Sequence, residues 1–477
     1  MNTITKRNKW TYSVGCIGRD MIFILVSMFM LPYIQYTMNL TVAQFSAIST
    51  IMIFSRVWDA FNDPIMGMII ENSRLKGGKF RPWVMLGGVS NFAITILLFL
   101  VRPTGWAFVL FFGIAYIAWG MTFTINDIAY WSLLPNLSSN NDERNELTNL
   151  VLIFASIGQF IAGGLIPILV TGNAVWMYKV LGISISFIFL AFTLLTYFGV
   201  SERIVVEEKQ GKVNLKKMYS ILFKNDQLII VAIALLLYTI AIELFMAFGI
   251  NFFYFEFGYG GVQLTIFTVF FALGSLTALL VFPFLTKHYK RMKIMGIGTL
   301  ISVIGYLSFL SLGYLIPMNE IILYTSAFFI FFGLNLFFVV LVVMTANVIE
   351  YNEIKTGERN ESIIFSIRPF MTKLGAALQQ AIVTLVLIIS GVYVYSQQIA
   401  DLEIQKSQGL LQEISSQANV ILSSATPKML LMLRIGMGLI PMISIVIAYL
   451  LIKSKYTITE EKYDQILIDL AKIKLDK

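Results

Sequence analysis

Two carboxylates and an amide fall within one helical turn in the run Arg56-Val57-Trp58-Asp59-Ala60-Phe61-Asn62-Asp63-Pro64. Asp59 and Asp63 stand at i and i+4, with Asn62 at i+3, so a helix presents all three on one face. Acids crowded together in low dielectric repel one another unless one is protonated or a cation sits between them. Hard oxygen ligands suit a hard cation: Na⁺ fits, and Li⁺ or H⁺ can substitute. The bland alternative is a structural ion pair with Arg56 or Lys373. A second face gathers Thr124, Asp127 and Trp131 in the run Phe123 to Trp131. The hydroxyl could complete a cation shell. A carboxylate above an indole suits a polyol, the acid accepting hydroxyl hydrogen bonds while the ring stacks on C–H groups; an interfacial Trp anchor is the alternative. Near the start, Gly15-Cys16-Ile17-Gly18-Arg19-Asp20 offers Asp20 as a second substrate carboxylate, with Arg19 balancing charge or pointing to a neighbour, and a local ion pair as the bland alternative. Late in the chain, Arg368 and Lys373 flank Pro369. Arg368 could grip an acid group bidentately or neutralise Glu243, and Lys373 is a counter-charge for the acids around position 60.

Every one of these groups lies in an apolar stretch. Of 477 residues, 57% are hydrophobic and only 13% charged, well away from the balance of a soluble domain. A charge at membrane depth costs at least about 2.5–3.5 kcal/mol, so each needs a partner or a function. About twelve stretches reach the length of a spanning helix: 13–38, 43–70, 82–101, 106–133, 147–171, 177–200, 226–256, 262–284, 294–315, 320–348, 363–395 and 428–452. If both ends lie inside, the outer connections hold only Arg102, Lys406 and Lys428, and nearly all other Lys and Arg fall on the inner side. That predicts an all-α polytopic membrane protein with both termini cytoplasmic. The apolar run at the N-terminus, behind its basic residues, reads as a retained first helix rather than a cleaved signal.

The connection 201–225 divides the chain into two six-helix halves, 1–200 and 226–452, with a tail at 453–477. Between spans eleven and twelve, the polar stretch 396–427 predicts a short amphipathic helix, and the tail a surface helix. Gly120 and Gly158 are among the small residues expected to let helices pack closely. A single cysteine, Cys16, and a single histidine, His288, leave no disulfide, Cys zinc site or Ser–His–Asp triad to build. With no nucleophile–base pair in view, an intramembrane enzyme is disfavoured. A net charge of +8 is accounted for by membrane orientation and not by nucleic acid.

Further runs add to these: Gly78-Lys79-Phe80-Arg81-Pro82-Trp83, Thr122 to Pro135, Lys224 to Leu228, Glu361-Ser362 and Lys373-Leu374-Gly375. In this order on twelve spans, the chain resembles the glycoside–pentoside–hexuronide:cation symporters, the melibiose-permease group of the major facilitator superfamily. The resemblance implies a bacterial membrane carrier with twelve helices in two six-helix bundles. It implies a sugar substrate, a monovalent coupling cation (Na⁺, with H⁺ or Li⁺ as variants), a lipid environment, no cofactor and a functional monomer. Cation-binding positions map to Asp59, Asn62, Asp63 and Thr124. Sugar-contacting positions map to Asp20, Asp127 and Trp131, with Arg19 beside them and Lys373 as charge partner, and the loop 71–81 matches the superfamily's gating loop. Two departures stand out. A sugar-contacting arginine of melibiose permease is replaced by Leu152, and a Thr–amide pair by Pro369 and Arg368. Arg368 is therefore expected to supply the missing guanidinium and to favour an anionic sugar. The rival reading on the same fold is a lipid or lysolipid carrier; a transporter-derived sensor is a third.

Overall fold

In lipid, no water is available to satisfy backbone N–H and C=O groups, so a chain of this composition closes its hydrogen bonds within helices. The computed structural model describes residues 4–73, 75, 77–138, 141–202, 225–357 and 361–475, and among these there are helices and turns but no strand. Most of the expected central connection, 203–224, lies outside the described residues. Ten helices are long and apolar enough to cross a membrane, and the bent pair α1 (Lys6–Ser27) and α2 (Met30–Thr37) makes an eleventh span. The remaining expected span is α3 (Val42–Asn72), 31 residues long, whose apolar character is diluted by Arg56, Asp59, Asn62 and Asp63. A 45° bend separates α1 from α2, just before Pro32, which cannot donate the backbone hydrogen bond a continuous helix would need.

Two compact units emerge. The first comprises Met1–Gly211 together with Phe253–Thr265 and Leu387–Leu430. Its long helices are α1 to α3, α4 (Arg81–Leu100), α5 (Trp106–Leu137), α6 (Asn141–Val170) and α7 (Ala174–Gly199). α1 packs on α6 and α7, α4 on α5 and α7, and α3 on α5. Thr41 and Gln44 close a reciprocal capping box at the start of α3, the arrangement that satisfies orphan N–H groups at a helix N-terminus. At the start of α4, with no capping side chain of its own, Glu202 does this instead. Its carboxylate accepts the backbone N–H of Lys79 at 2.6 Å, of Phe80 at 3.0 Å and of Arg81. Gly78 has φ +132°, and a Cβ there would lie 2.7 Å from Glu202. The loop before α4 is thus pinned by an acid from the far end of α7.

The second unit comprises Lys212–Phe252, Ile266–Val386 and Leu431–Lys477. It contains α8 (Asp226–Ala247), most of α10 (Val262–His288), α11 (Arg291–Ser311), α12 (Glu320–Thr356) and most of α13 (Glu361–Ser390). It also contains α17 (Ile440–Lys455) and the tail helix α18 (Glu460–Leu475), which packs on α12. The shorter α9 (Gly249–Phe257) follows α8, and α16 (Pro427–Arg434) leads through a π-helical turn, Ile435–Leu439, into α17.

The polar stretch between the last two spans folds as α14 (Val392–Ser407) and α15 (Ser415–Ser423) and belongs to the first unit. α14 is clasped to the α2–α3 corner. Tyr393 donates to the Leu40 carbonyl at 2.8 Å and stacks on Phe45 at 4.2 Å. Gln397 accepts the Leu40 N–H at 2.8 Å and donates to the Gln35 carbonyl at 3.1 Å. Asp401 accepts from Asn39 at 2.7 Å. Glu403, 1% exposed, accepts the Ala174 N–H at 2.7 Å and the Tyr259 hydroxyl. Burial pushes the carboxyls of both Glu403 and Asp401 above the usual range.

A docked carboxyl with a raised pKa holds its proton more tightly than an undocked one. The clasp is therefore tightest at low pH and weakens as pH climbs from the ordinary carboxylate range through the raised value. Amide exchange across 392–407, corrected for its intrinsic pH dependence, should show protection falling over that interval. Glu403→Gln should remove much of the slope, and Glu403→Gln with Asp401→Asn should flatten it; an unchanged slope in the double variant would refute the assignment.

Candidate functional site

The first unit brings the N-terminal acids into two clusters joined by α5. The first cluster forms where α1, α5 and α6 meet. Gly158 of α6 lies so close to α1 that a Cβ would stand 2.4 Å from the Ile17 carbonyl oxygen. On the other side, Tyr12 and Tyr130 stack at 4.5 Å and exchange hydroxyl-to-carbonyl hydrogen bonds, locking α1 to α5. Between these contacts sits Arg19, 5% exposed. Its Nη2 is 3.0 Å from Asp20 Oδ2 and its Nη1 is 3.2 Å from Asp127 Oδ1. Its guanidinium carbon lies 4.5 Å from the centre of the Tyr130 ring and 5.1 Å from that of Trp131. A planar cation flanked by two aromatic faces and two carboxylates has little freedom to leave.

Arg19 and Asp20 therefore do pair, and Arg19 spans both acids instead of balancing Asp20 alone. The acids are not equivalent. Asp20 is 7% exposed and its other oxygen, Oδ1, accepts from Gln159 Nε2 at 2.8 Å. The Asp127 side chain is 38% exposed, which makes it the accessible acceptor of the pair. Trp131 is partly buried and packs against the cluster that contains Tyr12, Cys16 and Tyr130. Leu152, half exposed on α6, adds no polar group.

The second cluster joins α3 to α5. Thr124 donates to Asp63 Oδ1 at 3.1 Å, and Thr124, Asp59 and Asn62 are buried at 5%, 6% and 7% exposure. The Asn62 side-chain nitrogen is buried with no hydrogen-bond partner among the described residues. Gly120 admits the Asp59 carboxylate against α5: a Cβ would stand 2.9 Å from Oδ1 and 3.3 Å from Oδ2. Two carboxylates, an amide and a hydroxyl on two packed helices form an oxygen-rich donor set suited to a hard monovalent cation. Among the described residues no group of three or more His, Cys, Asp or Glu is placed to hold a metal ion, so an ion here would rely on the amide and hydroxyl as well as the two acids.

Arg368 and Lys373 stand on α13 in the second unit, the Arg368 guanidinium 5.1 Å from the centre of the Phe338 ring. Sequence reasoning missed Gln159 and Glu202, because a lone polar residue in a span or loop carries no spacing signal. It read Gly120 as a packing glycine and not as the space that admits Asp59.

Together, the spanning helices and the charge clusters buried among them define a polytopic membrane protein. The profile of the MFS/sugar transport protein family matches residues 11–460, and the chain belongs to that family, within its glycoside–pentoside–hexuronide group. It is a multi-pass membrane protein of a transport family. It is 26% identical to a lactose permease of Lactobacillus helveticus, an alignment covering 80% of this chain and 62% of that one. It is also 26% identical to a raffinose carrier protein of Pediococcus pentosaceus, over 97% of this chain and 71% of the relative. The chain thus spans less than two thirds of the length of the lactose permease. Among solved structures, a D-xylose-proton symporter superposes with TM-score 0.60 at 14% identity, covering 89% of this chain and 98% of that one, which supports the major facilitator fold.

Adding a methyl group at Gly120 must displace Asp59. Overpacking of this kind costs about 1–3 kcal/mol. Gly120→Ala should then weaken cation binding roughly 5- to 150-fold while leaving insertion intact, read by cation titration of the purified protein. Wild-type cation affinity in Gly120→Ala would show that the Asp59 carboxylate does not serve the cation from this position.

Proposed function

We propose that this chain is a cation-coupled sugar symporter, with Na⁺ as the coupling ion, working by alternating access with both termini in the cytoplasm and as a monomer. The observation that carries the reading is that one turn of α5 touches both clusters. Thr124 is bonded to Asp63 in the oxygen-rich cluster, and Asp127, three residues on, is paired with Arg19 in the other. A cation bound by Asp59, Asn62, Asp63 and Thr124 would relieve the repulsion between the acids and fix α3 against α5. Fixing α5 also fixes Asp127, the exposed acceptor. A sugar hydroxyl would donate to Asp127, the Trp131 ring would offer its face to sugar C–H groups, and Asp20 would act from behind, held by Arg19 and Gln159.

Each ligand then raises the affinity for the other by the same factor. The carrier holding cation alone would cross poorly, which prevents leak, whereas the empty and doubly loaded forms exchange sides. Arg368 supports the finer reading that the sugar is anionic, such as a hexuronide, since it offers a guanidinium while the position expected to carry one holds Leu152. The relatives named lactose permease and raffinose carrier support a glycoside of some kind.

Uptake into energised vesicles of radiolabelled glycosides, pentosides and hexuronides, with and without an imposed Na⁺ gradient, tests the reading. Na⁺-stimulated uptake of one compound is expected, abolished in Asp63→Cys with normal insertion. Uptake driven by a proton gradient alone would keep the carrier and replace the ion. No sugar uptake by folded, inserted protein would overturn the proposal in favour of a lipid carrier. Arg368→Gln should lower uptake of the acidic sugar by about tenfold or more, the loss of one charge-assisted pair, with little effect on neutral analogues. Equal uptake of acidic and neutral analogues by both forms would remove Arg368 from the sugar site.

A further inference from the structure

The second unit carries a charged cleft that sugar and cation chemistry do not use. It opens at the junction of α10 and α11, where Lys287, His288, Tyr289, Lys290 and Arg291 follow one another. The cleft has a volume of about 490 Å³ and its wall includes Lys287, His288, Lys290 and Arg291, with Glu460 of α18 as its acidic member. That volume lies within the range of small-molecule sites. Lys293 lies close by, its Nζ 4.3 Å from the centre of the Tyr289 ring.

Two acids of the tail reach this junction. Glu460 Oε1 accepts the Arg291 backbone N–H at 2.6 Å, and Glu461 forms an ion pair with Lys290 at the rim. Lys290 holds the Glu461 carboxyl down at about 2, so it is ionised throughout the physiological range. The Arg291 guanidinium carbon lies 5.9 Å from the centre of the Tyr463 ring. The tail helix thus enters with two carboxylates where the wall offers three permanent cations and an imidazole. Lys287 has no ion-pair partner among the described residues, and His288 is exposed, its Nδ1 3.1 Å from the Phe284 carbonyl oxygen.

We propose that this cleft is a binding site for a phosphate ester and that Glu460 and Glu461 are its displaceable internal occupants. A phosphate presents several strong acceptor oxygens and can engage Lys287, Lys290 and the Arg291 fork together, which one carboxylate cannot. The same chemistry is carried by an anionic lipid headgroup at the membrane surface and by a free phosphorylated metabolite. Basic residues directly flanking the end of a spanning helix are placed to meet the first.

The test uses the whole chain in phosphatidylcholine nanodiscs, without sugar or coupling cation, so that it stands apart from the symport reading. Melting temperature is followed while inorganic phosphate is titrated against chloride at constant ionic strength, and separately while phosphatidylglycerol replaces part of the lipid. A stabilising shift is expected in at least one arm, lost in Lys287→Gln/Arg291→Gln. A shift with phosphatidylglycerol alone assigns the site to lipid; a shift with phosphate assigns it to a soluble ligand. In Glu460→Gln/Glu461→Gln, where the internal carboxylates are gone, the apparent dissociation constant should fall roughly two- to fivefold, the scale of losing exposed ion pairs. No shift in either arm for both wild type and Glu460→Gln/Glu461→Gln overturns the proposal. So does a shift of wild-type size in Lys287→Gln/Arg291→Gln.

Discussion

A carboxylate inside a membrane must be matched, and in this molecule one guanidinium matches two. Arg19 lies 3.0 Å from Asp20 and 3.2 Å from Asp127, flanked by Tyr130 and Trp131. Removing one partner from such an arrangement strands a buried charge at a cost of about 3–5 kcal/mol. The packing around it follows from that need. Gly158 brings α6 against α1 so that Gln159 reaches the remaining Asp20 oxygen. The Tyr12–Tyr130 lock holds α5 in register with α1. Asp127, though paired with Arg19, stays partly exposed.

The cluster on α3 and α5 obeys the same rule with a different answer. Asp59 and Asp63 share one face of α3. Thr124 meets Asp63, and the absence of a side chain at Gly120 lets α5 close on Asp59. A charge-matching device that spans two helices changes their relative stability when its occupant changes. This is the physical requirement for coupling between two ligands: a differential interaction that each can bias.

Much of this was legible in the sequence. The i, i+3, i+4 spacing of Asp59, Asn62 and Asp63 placed three oxygen-bearing side chains on one face, and the apolar stretches fixed most of the spans. α3 is less apolar than the other spans because Arg56, Asp59, Asn62 and Asp63 interrupt it. Arg19 could be read as pairing with Asp20, but its reach to Asp127 depends on the α1–α5 packing. Gln159 was invisible for the same reason: its role comes from a glycine contact one residue earlier. The clasp of α14 was not legible either. Glu403 sits in a polar stretch where an acid is ordinarily solvated, and only the fold buries it beside Ala174 and Tyr259. Glu202 likewise acts on a helix start more than a hundred residues away.

The central claim is that the two clusters on α5 are energetically one device. The most direct measurement is calorimetric: the dissociation constant of a transported sugar with and without saturating Na⁺, and that of Na⁺ with and without saturating sugar, on the purified protein. The account predicts the same factor in both directions, on the order of 5 to 150, collapsing toward one in Thr124→Ala. A factor of one in the wild type, or a wild-type factor preserved in Thr124→Ala, would contradict it.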